Sequence, residues 1–162
     1  SPDDPALTVL SSVLGGVAGG SGRLFDALRE RMGLAYSVGA SLERGLGGGA
    51  LMCTVEADPG RVNEALTALW RELGRVIDDL VGDEELERVR RGLVEGTVLG
   101  LQRASTRADL LAAAERYGEG AGKWRETLLR PGSVTAAEVH AVAKATLRRD
   151  RFALVQVGPA EP

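Results

Sequence analysis

Two polar residues in the stretch LRERMGLAYSV stand out for the chemistry open to them. Arg29 carries a permanent charge and a fork of N–H donors; Tyr36, seven positions on, carries one well-directed O–H. Preorganised donors of these kinds stabilise an oxyanion as it develops on a carbonyl under attack. The stretch reads as the end of a helix, a stop at Gly33 and the start of a strand, so both residues belong to the rim where helix and strand converge. Each also has an ordinary reading. Arg29 suits a helix C-terminus as a favourable charge, and Tyr36 suits a strand with its ring in the core.

Other constellations fall short of chemistry. The glycine loop GGVAGGSGR lacks the Gly-Lys-Ser/Thr ending of a phosphate loop and joins two helices instead of following a strand. It reads as a flexible connection; a small-molecule module built on it would show as protection by phosphate ligands against thermal unfolding. His140, the only histidine, has no acidic or cysteine partner at ligand spacing and reads as a helix-surface residue. Cys53, on a strand, reads as a small apolar residue. No Gly-x-Ser-x-Gly elbow occurs. The runs DEELE and RVRRG form one solvated helix face with i,i+4 pairs such as Glu84 with Arg88. By elimination, no catalytic residue set and no metal site are complete in this chain alone.

The composition bounds what these residues can be part of. A chain of 162 residues buries roughly 70% of its unfolded surface, enough for one core. Residues 1–162 are therefore read as a single domain. With 44% hydrophobic residues but only two each of Trp, Tyr and Phe, that core must be aliphatic. A net charge of −3 and a pI near 5.3 argue against nucleic acid as a partner. One cysteine excludes an internal disulfide and indicates no compartment, cytoplasmic or periplasmic. No apolar run is long enough to span a membrane, and the given sequence does not open on a basic-then-apolar leader, which an upstream segment could still carry. The start at SPDDPALTVL nevertheless gives the chain the look of a piece of something longer.

Apolar residues Leu7, Leu10, Val13 and Leu14 predict a first helix over 4–14, with Asp4 as N-cap and Pro5 at the first helical position. A second helix, RLFDALRERM, ends at Gly33. From Ala35 the period is two: Tyr36, Val38, Ala40 and Leu42 on one face, Ala35, Ser37, Gly39 and Ser41 on the other. ALMCTVEA returns as the second strand of a hairpin. Asp58-Pro59 opens a helix with a stripe from Val62 to Leu80, and GDEE opens another carrying Leu86, Val89, Leu93 and Leu101. Helical stretches follow over 106–117 and 122–129. Thr135 and Glu138 make a capping box, with Val134 stapled against Val139. FALVQVG is expected to be a third strand. The fold class is α+β, helices on one face of a largely antiparallel sheet, and strands preceding Ser1 are expected to be missing.

The segment LTVLSSVLGG…SGRLFDALRERMGLAYSV resembles the C-terminal domain of pitrilysin or insulinase-like zinc metallopeptidases, nearest to the bacterial homologues of mitochondrial processing peptidase. VEADPGRVNEAL, DEELERVRRGL, SVTAAEVHAVAKATL and FALVQVGP continue the likeness in order across nearly the whole chain. The helix-Gly-Leu-Ala-Tyr-Ser block is its most specific part. The resemblance implies a clamshell of two similar halves. One half carries zinc on an inverted H-x-x-E-H motif. The other closes over a peptide and presents an arginine and a tyrosine to it; in this chain those are Arg29 and Tyr36.

The resemblance thus implies that this chain is the non-zinc half, that its partners are a zinc-bearing half or subunit and a peptide substrate, and that it is inactive alone. The alternative it leaves open is a non-catalytic scaffold, as in core subunits of respiratory complexes. Two departures stand. No H-x-x-E-H occurs, and Ser21-Gly22-Arg23 replaces the two serines common before Arg-Leu-Phe. A truncated sheet edge is also expected to promote self-association of the fragment.

Overall fold

A computed structural model describes residues 4–17, 22–45, 48–116, 118, 120 and 122–158. The fold is mostly helical with one two-stranded antiparallel sheet, so the α+β class holds. Its centre is helix α1, Asp4–Gly15, in which Val9, Leu10, Val13 and Leu14 are buried completely. The expected stripe was narrower than the observed burial. Ala6, Ser11 and Ser12 are buried too, because small side chains let other elements close around the helix on nearly every side. Asp4 opens α1, but its carboxylate turns to Arg44 at 2.8 Å instead of to the first-turn amides.

Strands β1 (Ala35–Gly45) and β2 (Gly48–Ala57) pair in register from Gly45↔Gly48 to Ala35↔Ala57, forming the expected hairpin. Val38, Ala40, Leu51, Cys53 and Val55 lean on the core. Gly15 brings the end of α1 hard against β1: a Cβ there would lie 2.5 Å from the Ala40 carbonyl oxygen.

Asp58 accepts from the Gly60 amide at 2.8 Å and caps a short 3-10 turn, which leads into α2 (Val62–Asp78). Of its expected stripe Ala65, Leu69, Leu73 and Val76 are buried, joined by Ala68; Val62, Leu66 and Ile77 are partly buried, and Leu80, beyond its end, is exposed. Helices α3 (Asp83–Gly100), α4 (Ala104–Arg116) and α5 (Trp124–Leu129) follow, with α3 burying only Leu86 and Val89. The ion pairs on the exposed face of α3 centre on Glu87, with Arg90 and Arg91, not on Glu84 with Arg88. Before α6 (Ala136–Thr146) both halves of the capping box form, and Val134 and Val139 are buried together. The Glu138 carboxyl is held below its usual range by the Thr135 backbone and hydroxyl.

The expected third strand is a correction. Residues 152–158 form no ladder with another strand and are exposed throughout, Val155 at 82% and Val157 at 92%. The run has strand propensity, but a strand exists only with a neighbour to bond, and none of the described residues provides one. Its start is held by Trp70 of α2, whose ring meets Phe152 edge-on at 4.6 Å and carries the Arg149 guanidinium at 5.2 Å on its face. Trp70→Ala is expected to release the 149–152 turn, read as faster exchange of the Arg151 amide, which donates to the Arg148 carbonyl at 3.0 Å, with α1 unchanged. An exposed β-prone run with unpaired backbone is also expected to drive association. Light scattering should show a mean mass rising with concentration, and Val155→Lys should suppress the rise.

Candidate functional site

The helix expected before Gly33 forms, but in an unusual register. After one α-turn at Arg23 and Leu24, Phe25–Arg31 is a π-helix. Such segments bond each amide five residues back and recur at functional sites. Its end keeps that wide spacing: Leu34 N–H donates to Leu28 at 2.7 Å and Gly33 N–H to Arg29 at 3.1 Å. Each link is one residue longer than in the usual glycine-terminated α-helix. Gly33 has φ +55°, and a Cβ there would touch nothing within 4 Å. The backbone angle, not space, requires glycine.

A second irregularity follows at once. Ala35 pairs with Ala57 and Ser37 with Glu56, which leaves Tyr36 as the extra residue of a β-bulge. The bulge shifts the strand's phase. Ala35 is buried and Val38 and Ala40 pack on the core, while Tyr36 leaves the face predicted for it and is 71% exposed. A ring in the core is excluded. The phenol hydroxyl has no hydrogen-bond partner among the described residues.

Arg29 is also exposed and lies on the same rim. Its Nη1 donates to the Tyr36 carbonyl oxygen at 2.9 Å, and its guanidinium sits 5.2 Å from the centroid of the Phe25 ring. The carbonyl on one side and the ring on the other restrain the guanidinium, and its other N–H groups donate to nothing among the described residues. The structure thus brings the two predicted residues together by a side-chain-to-backbone bond. An available cationic fork and an available hydroxyl result. Phe25 escaped the sequence reading, although its i,i+4 spacing to Arg29 was visible there.

The remaining candidates take structural places. His140 is half-buried, and its Nε2 bonds the Ile77 carbonyl in the last turn of α2 at 2.9 Å, where a helix lacks an internal donor. Burial pushes the Cys53 thiol up to about 11, so it stays protonated at neutral pH and is a poor nucleophile. Residues 18–21 of the glycine loop lie outside the described residues. Gly22, at its end, is buried with its Cα against the main chain of Leu14–Gly16, a space that any Cβ would overlap.

A charged groove lies beside the π-helix, lined by Arg23, Asp26, Arg31, Glu72, Arg75 and Asp79. Arg23 spans it with a bidentate pair to Glu85 at 2.6 and 2.8 Å, which raises the Arg23 pKa. No group of three metal-ligating side chains occurs among the described residues. With one histidine and one cysteine, far apart in role, the donor set does not fit zinc.

The class these features define is an α+β domain built on a buried central helix, with a hairpin edge and a polar rim but no metal-ligand cluster among its described residues. The chain belongs to the M16 peptidase family: residues 1–93, more than half of it, match the family model described as the peptidase M16 inactive domain. Uncharacterized zinc proteases of Mycobacterium tuberculosis and Streptomyces coelicolor are 36% and 35% identical to it, each over 95% of this chain. The chain spans about a third of the length of these relatives, 34% and 33%. Among solved structures, an inactive peptidase domain from Bordetella parapertussis superposes with a TM-score of 0.79 at 25% identity, covering 93% of this chain and 80% of that one. A peptidase M16 inactive domain from Pseudomonas fluorescens shares the fold at a TM-score of 0.77 and 22% identity, over 91% of this chain and 35% of that one. No helix among the described residues is long and apolar enough to cross a membrane.

Proposed function

We propose that this chain is the substrate-clamping half of a zinc metalloendopeptidase, acting on peptides together with a zinc-bearing half. The observation that carries the reading is the common rim of Arg29 and Tyr36, both exposed, with the arginine bonded to the tyrosine carbonyl. A zinc ion would be held by the other half and not by residues of this chain, and there it would supply an activated water for peptide hydrolysis. The residues of this chain bind and orient. The available N–H groups of Arg29 and the hydroxyl of Tyr36 face the carbonyl oxygen as its negative charge grows, and their preset geometry lowers the barrier. The names of the relatives, zinc proteases about three times as long as this chain, support the presence of such a half.

The test is peptide cleavage by the full-length protein in its native assembly, comparing wild type with Tyr36→Phe. A large, selective loss of kcat with a chelator-sensitive wild type supports the clamp. Equal, chelator-sensitive cleavage by both proteins makes Tyr36 structural and overturns it. No cleavage by either favours the scaffold.

A further inference from the structure

Arg29 and Tyr36 are separated by a turn, and each residue at the turn's start is tied to α2 or to the 3-10 turn that leads into it. At Arg31, Nη2 reaches the Glu72 carboxylate at 3.5 Å. At Met32, the sulfur accepts from Arg71 Nη2 at 3.1 Å. At Gly33, the carbonyl oxygen accepts from Arg61 Nη1 at 3.0 Å. Three successive residues therefore hang from three side chains, two on α2 and one, Arg61, at the end of the turn that leads into it.

The strengths of the three ties differ. Glu72 is a buried carboxylate, 2% exposed, and Arg75 also donates to it at 3.1 and 3.2 Å. It is the buried anchor of the contact, held by arginines that are themselves exposed, and removing it would leave a gap in the packed face of α2. Arg61 is different. It is half-exposed, its Nε is steadied by Glu64 one turn on at 3.1 Å, and it contributes nothing to the core. Beyond Glu64, its side chain's one other tie among the described residues is to the carbonyl of Gly33, the residue at φ +55° that reverses the chain between the two rim residues. A charged donor on that oxygen fixes the peptide plane at the pivot, and with it the angle at which the π-helix meets β1.

We infer that Arg61 is a positioning residue: it holds the Gly33 pivot so that the Arg29 guanidinium and the Tyr36 hydroxyl stay at catalytic separation. This inference rests on the clamp reading of the previous section and adds a member that lies on a different element and touches no substrate. A rim pair loosened by a fraction of an ångström still binds peptide but loses its preset geometry, and misplacement on the scale of 1 Å costs up to about 100-fold in rate.

The experiment is steady-state peptide cleavage by the full-length protein in its native assembly, with Arg61→Gln, Arg61→Lys, Tyr36→Phe and the double variant Arg61→Gln/Tyr36→Phe. Arg61→Gln is expected to lower kcat roughly tenfold with KM nearly unchanged, since orientation and not binding is lost. Arg61→Lys, which can place a charged donor on the same carbonyl, should recover much of the loss. The double variant should be little worse than Tyr36→Phe alone, because the two residues act through one geometry. Multiplicative losses in the double variant, or an undiminished kcat in Arg61→Gln while Tyr36→Phe is impaired, would overturn the inference and leave the clamp standing. An unimpaired Tyr36→Phe sinks the clamp, and this inference with it. Thermal unfolding of each variant separates a folding defect, which Arg61→Lys would share only in part and which would lower active enzyme without changing kcat per folded molecule.

Discussion

Tyr36→Phe is expected to lower kcat of the full-length protein about a hundredfold, the usual cost of removing one oxyanion donor. The substitution deletes one oxygen and keeps the ring. Because the side chain is 71% exposed and its hydroxyl bonds nothing among the described residues, no core packing and no internal hydrogen bond is lost. Stability should stay within about 0.5 kcal/mol of wild type, as for other surface changes. The kinetic signature matters as much as the size. A donor engaged only in the transition state lowers kcat and kcat/KM equally, whereas one that merely grips the peptide raises KM and spares kcat. Steady-state cleavage beside thermal unfolding reads both quantities, and a pure KM effect would make Tyr36 a binding contact and not part of the barrier-lowering set.

The largest effect on stability is expected from Gly22→Ser, the change that would restore the serine pair of the resemblance. A Cβ at position 22 would overlap main-chain atoms of Leu14, Gly15 and Gly16. Backbone cannot rotate aside as a side chain does. The end of α1 is itself pinned, since Gly15 already lies against the main chain of Ala40 in β1. Relief must come from moving α1, whose Val9, Leu10, Val13 and Leu14 are the centre of the core. Overpacking of this kind costs about 3 kcal/mol at its upper range. For a chain of this size that is roughly a 6–12 °C fall in Tm. A Gly22→Ser protein that melts with the wild type would show that this approach is looser than the structure has it. The glycine here is thus a packing requirement, set by its place directly over the end of α1.

Much of this was legible in the sequence, and the failures have physical causes. The helix start at Thr135, the Gly33 stop and the hairpin were read correctly, because caps and glycines act through local backbone chemistry that needs no tertiary context; Asp58, expected to cap the long helix, caps the 3-10 turn before it. The pairing of Arg29 with Tyr36 was legible as spacing and as resemblance, but not as geometry. Two features hid it. A π-turn leaves no mark in a pattern of apolar residues as short as RLFDALRERM, and the bulge fell in a strand whose opposite face is Ala35, Ser37, Gly39 and Ser41. With side chains that small, a slip of phase barely changes the hydrophobic contrast, so Tyr36 was put on the wrong face. The terminal run FALVQVG failed differently: propensity was present, but a partner strand was not. Arg61 could not have been found at all, since nothing in GRVNEAL says which distant carbonyl its guanidinium reaches.

The two irregularities that bracket the rim have a consequence for chain length. A π-turn and a bulge each carry one residue beyond the regular count. Deleting a residue from Phe25–Arg31 would turn everything before it by about 100° around the helix axis. Deleting one at Tyr36 would send the rest of β1 to the opposite face of the hairpin. Between Phe25 and Ser37 the molecule therefore keeps time like an escapement: letters can be exchanged there, but a beat dropped or added turns the rim away from whatever it faces.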